Sequence, residues 1–202
     1  MPPSAKAQSG RINSTVIAPP LEDFAGVPGD YPPLENEPKF QAEVHLQLEP
    51  PSQTLTLESF GYHPGELGDV PSMLAVAGPF RLLSDEGVQA LRFIAAQFKN
   101  LSLRLEGDSK AAYLKPRGIW YSSQFVRELC TSPLIRAFFS DLAGTPLAAH
   151  GMPTVAAAMI YAPPEIEKTN QGWHLDTVNF ATVIALTEPD ELDGGCFQYF
   201  RG

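Results

Sequence analysis

The stretch QGWHLDTVNF, residues 171–180, sets an imidazole, His174, two positions before a carboxylate, Asp176, in a chain with only four histidines. Side chains alternate faces along an extended chain, so His174 and Asp176 project one way and Leu175 the other. One more donor from elsewhere would complete three ligands on one face of a metal ion. An imidazole with a carboxylate suits iron(II) in the two-His-one-carboxylate arrangement, which leaves positions open for substrate and oxygen. H-x-D by itself is short and arises by chance. Its surroundings strengthen it: a loop, PPEIEKTNQG, precedes it, a β-rich stretch follows, and an acidic turn then leads to Gly194 and Gly195.

Elements that must position the pair can be read in both directions along the chain. Residues 1–40 are proline-rich without apolar periodicity, and read as a disordered arm. Residues 41–77 form a strand-and-loop lead-in. FQAEVHLQL (40–48) alternates cleanly and predicts a half-buried strand with His45 on its solvated face. His63 falls in a turn. LSDEGVQALRFIAAQFKN predicts a helix capped by Ser84, with Val88, Leu91, Ile94, Ala95 and Phe98 as its apolar stripe. A second helix is expected over about 123–130. A third starts at Ser132 and Pro133 and stops at Gly144. Helices therefore dominate 85–144. Beyond about 150 the pattern turns to short strands: TVAAAMIYA (154–162), ATVIAL (181–186) and CFQYF (196–200).

The totals narrow the partners. A net charge of −9 disfavours nucleic acid and anionic membrane, both of which need clustered Lys and Arg. Apolar runs such as 155–162 are far too short to span a bilayer. Cys130 and Cys196 are distant and form no C-x-x-C pair, which fits a reducing compartment; cytoplasm is the expected location.

WHLDTVNFATVIALTEPDELDGGCFQYF resembles the central segment of the iron(II)/2-oxoglutarate-dependent oxygenases, which carry H-x-D, a strand, an acidic turn and a Gly-Gly strand start. GPFRLLSDEGVQAL is similar to the segment leading into the first helix of many members, so the resemblance spans about 78–202. It implies an α+β, mainly β fold: the N-terminal part of a double-stranded β-helix, or jelly roll, with supporting helices. It implies that His174 and Asp176 are two of three ligands to Fe(2+), with 2-oxoglutarate as cosubstrate and O2 as oxidant. It also implies that Tyr161, at the end of the preceding strand, faces the cosubstrate. A Tyr with a buried ring and a hydroxyl in water is the plainer alternative. The family's third ligand, a His, and its cosubstrate clamp, an Arg, lie well downstream of H-x-D. His174 is the last histidine here and Arg201 comes too early, so residues 78–202 are expected to be an incomplete oxygenase domain. His150, in a loop before the motif, is a poor spacing match for the missing ligand.

The expected activity is hydroxylation of a small molecule or an amino-acid side chain. Two other readings stay open. One is a catalytically inactive truncated chain that acts as a binding module or has no stable fold. The other is a cupin-like metal-dependent hydrolase or lyase using zinc or manganese. Cupins usually present H-x-H, which this chain lacks.

Overall fold

A computed structural model describes residues 31–106, 117–161 and 178–187. Its organising element is a long helix, here α3, Asp85–Glu106. Before it come a single helical turn, α1 (Ala42–His45), a strand β1 (Thr54–Thr56), a 3-10 turn (Leu57–Phe60), a short α2 (Pro64–Leu67) and β2 (Leu74–Ala77). After it come α4 (Ile119–Ser122), α5 (Gln124–Thr131), α6 (Pro133–Ala143) and α7 (Pro153–Ala156). The sheet among the described residues is two-stranded and antiparallel, pairing Thr54 with Ala77 and Leu55 with Val76.

The apolar stripe expected on α3 is where the core forms. Leu91, Ile94, Phe98 and Leu101 are buried, and Ile119, Phe125, Val126, Leu129 and Ile135 from α4, α5 and α6 close over them. Each such side chain contributes about 1.5–3 kcal/mol when fully covered, so this stripe outweighs any single propensity term in the helix. The helix also runs past the expected stop at Lys99 and Asn100. Leu101 is buried at 4%, and one more core contact carries the helix another turn.

Its start is built as the sequence suggests. Ser84 Oγ accepts from the Gly87 amide at 3.0 Å, and the Ser84 carbonyl accepts from Val88. The same hydroxyl donates to the Val44 carbonyl at 2.6 Å, which seats α1 on the first turn of α3. The expected strand over 40–48 is therefore corrected: its first half is helical. His45 is also not solvated. It is 7% exposed, its Nδ1 accepts from the Gln41 amide at 2.9 Å, and its ring meets Phe40 and Phe125. The i,i+4 bond and the aromatic contacts favour a turn over alternation. Only beyond it does the chain extend, along residues 81–83 through a Leu46–Leu83 bridge.

Residues 31–40, expected to belong to a solvated arm, lie against the helices. The Leu34 amide donates to the Ser122 carbonyl at 2.9 Å, and Gln97 Nε2 donates to Glu35 O at 2.8 Å. The Glu37 carboxylate accepts from Ser123 Oγ and from the Gln124 amide, both at 2.7 Å. Ser123 Oγ in turn caps Val126 N, so a carboxylate remote in sequence completes the N-terminus of α5, where negative charge is favoured. Gly118 (φ 90°) packs on the Tyr31 ring so closely that a Cβ would lie 2.2 Å from it.

α5 and α6 fall close to the expected spans. Pro133 opens α6, and Gly144 closes it in the left-handed region, φ 64°. Ser132 holds the cap position of α6, but its side chain makes no capping bond. The later β expectations fare differently. Pro153 favours a first helical turn, and residues 153–156 are helical, followed by one bridge from Ala158 to Arg117. Residues 181–185 form no ladder with any described strand, and CFQYF lies outside the described residues. Among the described residues, no helix is long and apolar enough to cross a membrane.

A Cβ on Gly87 would meet the His45 carbonyl oxygen at 2.2 Å, a backbone atom held by the Ser84 amide. Ala is favoured over Gly inside a helix by up to about 1 kcal/mol, whereas overpacking costs about 1–3 kcal/mol. Gly87→Ala is therefore expected to lower stability, read as a reduced denaturation midpoint in urea; an unchanged or raised midpoint would contradict the close approach.

Candidate functional site

His174 and Asp176, with Trp173 and Leu175, lie outside the described residues. The chain on either side of them is described, and both flanks meet one face of α3. On the entry side, Tyr161 Oη donates to the Ala95 carbonyl at 2.6 Å. Lys99 Nζ stands 5.8 Å from the centre of the same ring, a cation–π distance. On the exit side, Arg92 Nε donates to the Leu186 carbonyl. Ile184 and Leu186 pack against the core below.

Arg92, Ala95 and Lys99 follow one another at helical spacing, so they form a stripe beside the buried one. The sequence reading found the apolar stripe and missed this second one. Its only signal was a pair of cations seven residues apart, a spacing that ordinary surface helices also show.

The exit flank follows a two-residue rhythm that exposed Thr182 interrupts. Val178, Phe180, Ile184 and Leu186 are half-buried, whereas Asn179, Ala181, Val183 and Ala185 are exposed. Val183 is the extreme, at 70% exposure. Asn179 thus points to solvent. Arg117 is exposed too, and meets Ala158 through its backbone.

Tyr161 is half-buried, with its hydroxyl on a helix carbonyl. Neither sequence expectation included that bond. It fastens the end of the apolar run to α3.

The other histidines serve local structure. The His63 amide donates to the Glu66 carboxylate at 2.8 Å across the turn of α2. Exposed His150 accepts the Met152 amide on Nδ1 at 3.1 Å. Among the described residues, no group of three or more His, Cys, Asp or Glu is placed to hold a metal ion. An open groove of about 540 Å³ runs between α1 and the α5–α6 corner. Its lining includes Glu43 and Glu128 but no imidazole.

Two titratable groups near the core are shifted. The Arg127 guanidinium donates to the Trp120 and Tyr121 carbonyls at 2.7 and 3.0 Å. Its burial lowers its pKa, and the charges of Glu37 and Glu128 partly offset that. Cys130 packs against the core, and burial pushes its thiol from the usual 9.0 up to about 12.

The family model described as HalD, Halogenase D, matches residues 81–201. That span takes in α3, both described flanks and the H-x-D pair. No curated protein and no solved structure matches the chain.

The raised Cys130 pKa has a sign that can be followed. Between pH 9 and about 12 the folded thiol keeps a proton that the unfolded chain releases, so stability falls as pH rises through that window. At pH 8 the native thiol is neutral and half-buried. Peptide mass mapping after brief iodoacetamide treatment is expected to find Cys130 modified far less in the native chain than in urea. Equal labelling in both would contradict the packing of Cys130 against the core.

Proposed function

The chain belongs to the halogenase D family, and we propose that it is an iron(II)/2-oxoglutarate-dependent oxygenase that hydroxylates a small molecule or an amino-acid side chain. The observation that carries this reading is the donor pair His174 and Asp176 at H-x-D spacing, inside the matched residues.

The donor chemistry fits the metal. A neutral imidazole and a carboxylate are both ligands that iron(II) accepts in an oxygenase site. Iron(II) with 2-oxoglutarate and O2 supplies the oxidising power needed to attack an unactivated C–H bond. His174 would contribute a neutral donor, which requires the imidazole to be unprotonated. Asp176 would contribute a negative charge that partly neutralises the dication.

Asp176 also selects between two outcomes. An iron site that transfers halide must keep a coordination position for the halide ion. Were a third residue to join His174 and Asp176 on the metal, a chelating 2-oxoglutarate would leave a single position, for oxygen. A carboxylate at 176 thus favours hydroxyl over halide as the group transferred. In that respect this chain's residues point to a hydroxylating member of a family whose name denotes halogenation.

Conversion of 2-oxoglutarate to succinate, measured with added iron(II) in chloride-free buffer, tests both points. Turnover is expected without chloride, unchanged when chloride is added, and abolished by His174→Ala. Turnover that survives His174→Ala would sink the iron-site reading. Turnover that depends on chloride would replace hydroxylation with halogenation.

A further inference from the structure

We propose that the groove between α1 and the α5–α6 corner is a docking site for a short peptide segment of a partner protein, one that carries lysine or arginine among apolar residues. The site is independent of the iron-site reading above. The groove has a volume of about 540 Å³, and Phe40, Pro133 and Leu134 give it an apolar lining. Leu134 keeps 53% of its surface in water, so apolar area is open to an occupant.

Charge identifies that occupant. Glu43 stands on α1 and Glu128 on α5, so carboxylates line the groove from two elements. Among the described residues no Lys or Arg lines it. The exposed Glu43 carboxylate has no hydrogen-bond or ion-pair partner among the described residues. Glu128 is half-buried, and its carboxylate accepts from Gln124 Nε2 at 2.7 Å without an ion pair. Arg127, beside it in sequence, directs its guanidinium to the Trp120 and Tyr121 carbonyls. A half-buried carboxylate without a cation favours one that arrives. The ends of α5 and α6 that meet at the corner carry opposite partial charges, so the carboxylates set the sign of the groove. Phosphate-bearing partners are repelled by it.

A second observation does not depend on charge. Ser132 lines the same groove and is 4% exposed. It holds the cap position of α6, yet its hydroxyl makes no capping bond and has no other partner among the described residues. A covered hydroxyl without a partner is unfavourable. A peptide brings an amide and a carbonyl with nearly every residue, and one of these can pair with Ser132 Oγ. Apolar lining, unpaired carboxylates and an unpaired hydroxyl are thus met together by a basic, partly apolar peptide.

The test is fluorescence anisotropy of the full chain with a short labelled peptide in which lysines sit among leucines and alanines, beside its glutamine and glutamate counterparts. The lysine peptide is expected to bind about ten-fold tighter than the glutamine one at low salt, with the advantage shrinking as salt rises. Glu43→Gln and Glu128→Gln are each expected to weaken it about two- to five-fold, as for a partly exposed ion pair. Ser132→Ala is expected to weaken the lysine and glutamine peptides alike without lowering the melting temperature, because the hydroxyl has no bond to lose in the free chain. Asp141→Asn, toward the other end of α6, is the control and should leave the affinity unchanged.

Equal binding of all three peptides would overturn the proposal, as would no binding of the lysine peptide at millimolar concentration. So would wild-type affinity in both glutamate variants, or a loss in Asp141→Asn as large as theirs. A melting temperature lowered by Ser132→Ala would overturn the part given to that hydroxyl. If n-hexylammonium displaces the peptide at equal concentration, a small amine occupies the groove instead. If sedimentation equilibrium finds a dimer that Leu134→Ser disperses, a second copy of the chain does. Either result would overturn the peptide reading.

Discussion

Burial of one stripe of α3 is the constraint on which the rest of the described structure depends. Ile94 is fully covered and Phe98 nearly so, and α4, α5 and α6 are arranged to cover them. Once that stripe is committed to the core, the remaining faces of the helix are fixed in direction. One face receives α1 through Ser84 and Gly87. Another meets both flanks of the H-x-D segment through Arg92, Ala95 and Lys99. The core and both described flanks therefore share a single element.

The segment 31–37 serves the same end by a different means. Its backbone and side chains contribute few large apolar groups, but they satisfy polar ones. Glu37 completes the cap of α5, and the Leu34 amide takes up the Ser122 carbonyl at the end of α4. Helix ends leave unpaired amides and carbonyls that must find partners when covered. Residues 31–37 supply them, and this is why a proline-rich stretch without periodicity still belongs to the folded body.

How much was legible in the sequence depended on how local its cause is. The three main helices could be read because their caps, stripes and stops are short-range: Ser84, Pro133 and Gly144 each sit where they were expected. His45 was misread because the alternation of FQAEVHLQL is real, yet a bond from the Gln41 amide and the Phe125 ring favour a helical turn. TVAAAMIYA (154–162) and ATVIAL (181–186) carry strand-forming types, but a strand needs a partner as well as a propensity, and among the described residues they make only the Ala158–Arg117 bridge. The H-x-D spacing of His174 and Asp176 is read from residue types alone, and both lie outside the described residues. The stripe of Arg92 and Lys99 was not legible, because its partners lie some sixty to ninety residues away, which no local pattern records.

Both bonds that fasten the H-x-D flanks to α3 end on backbone carbonyls, those of Ala95 and Leu186. At the exit the helix holds a backbone carbonyl, which every residue type offers; at the entry it holds the Tyr161 hydroxyl, which the side chain itself must supply. Residue 186 can thus change type and keep its bond, whereas residue 161 cannot. The two flanks are held under different sequence constraints, one on the backbone alone and one on a particular side chain.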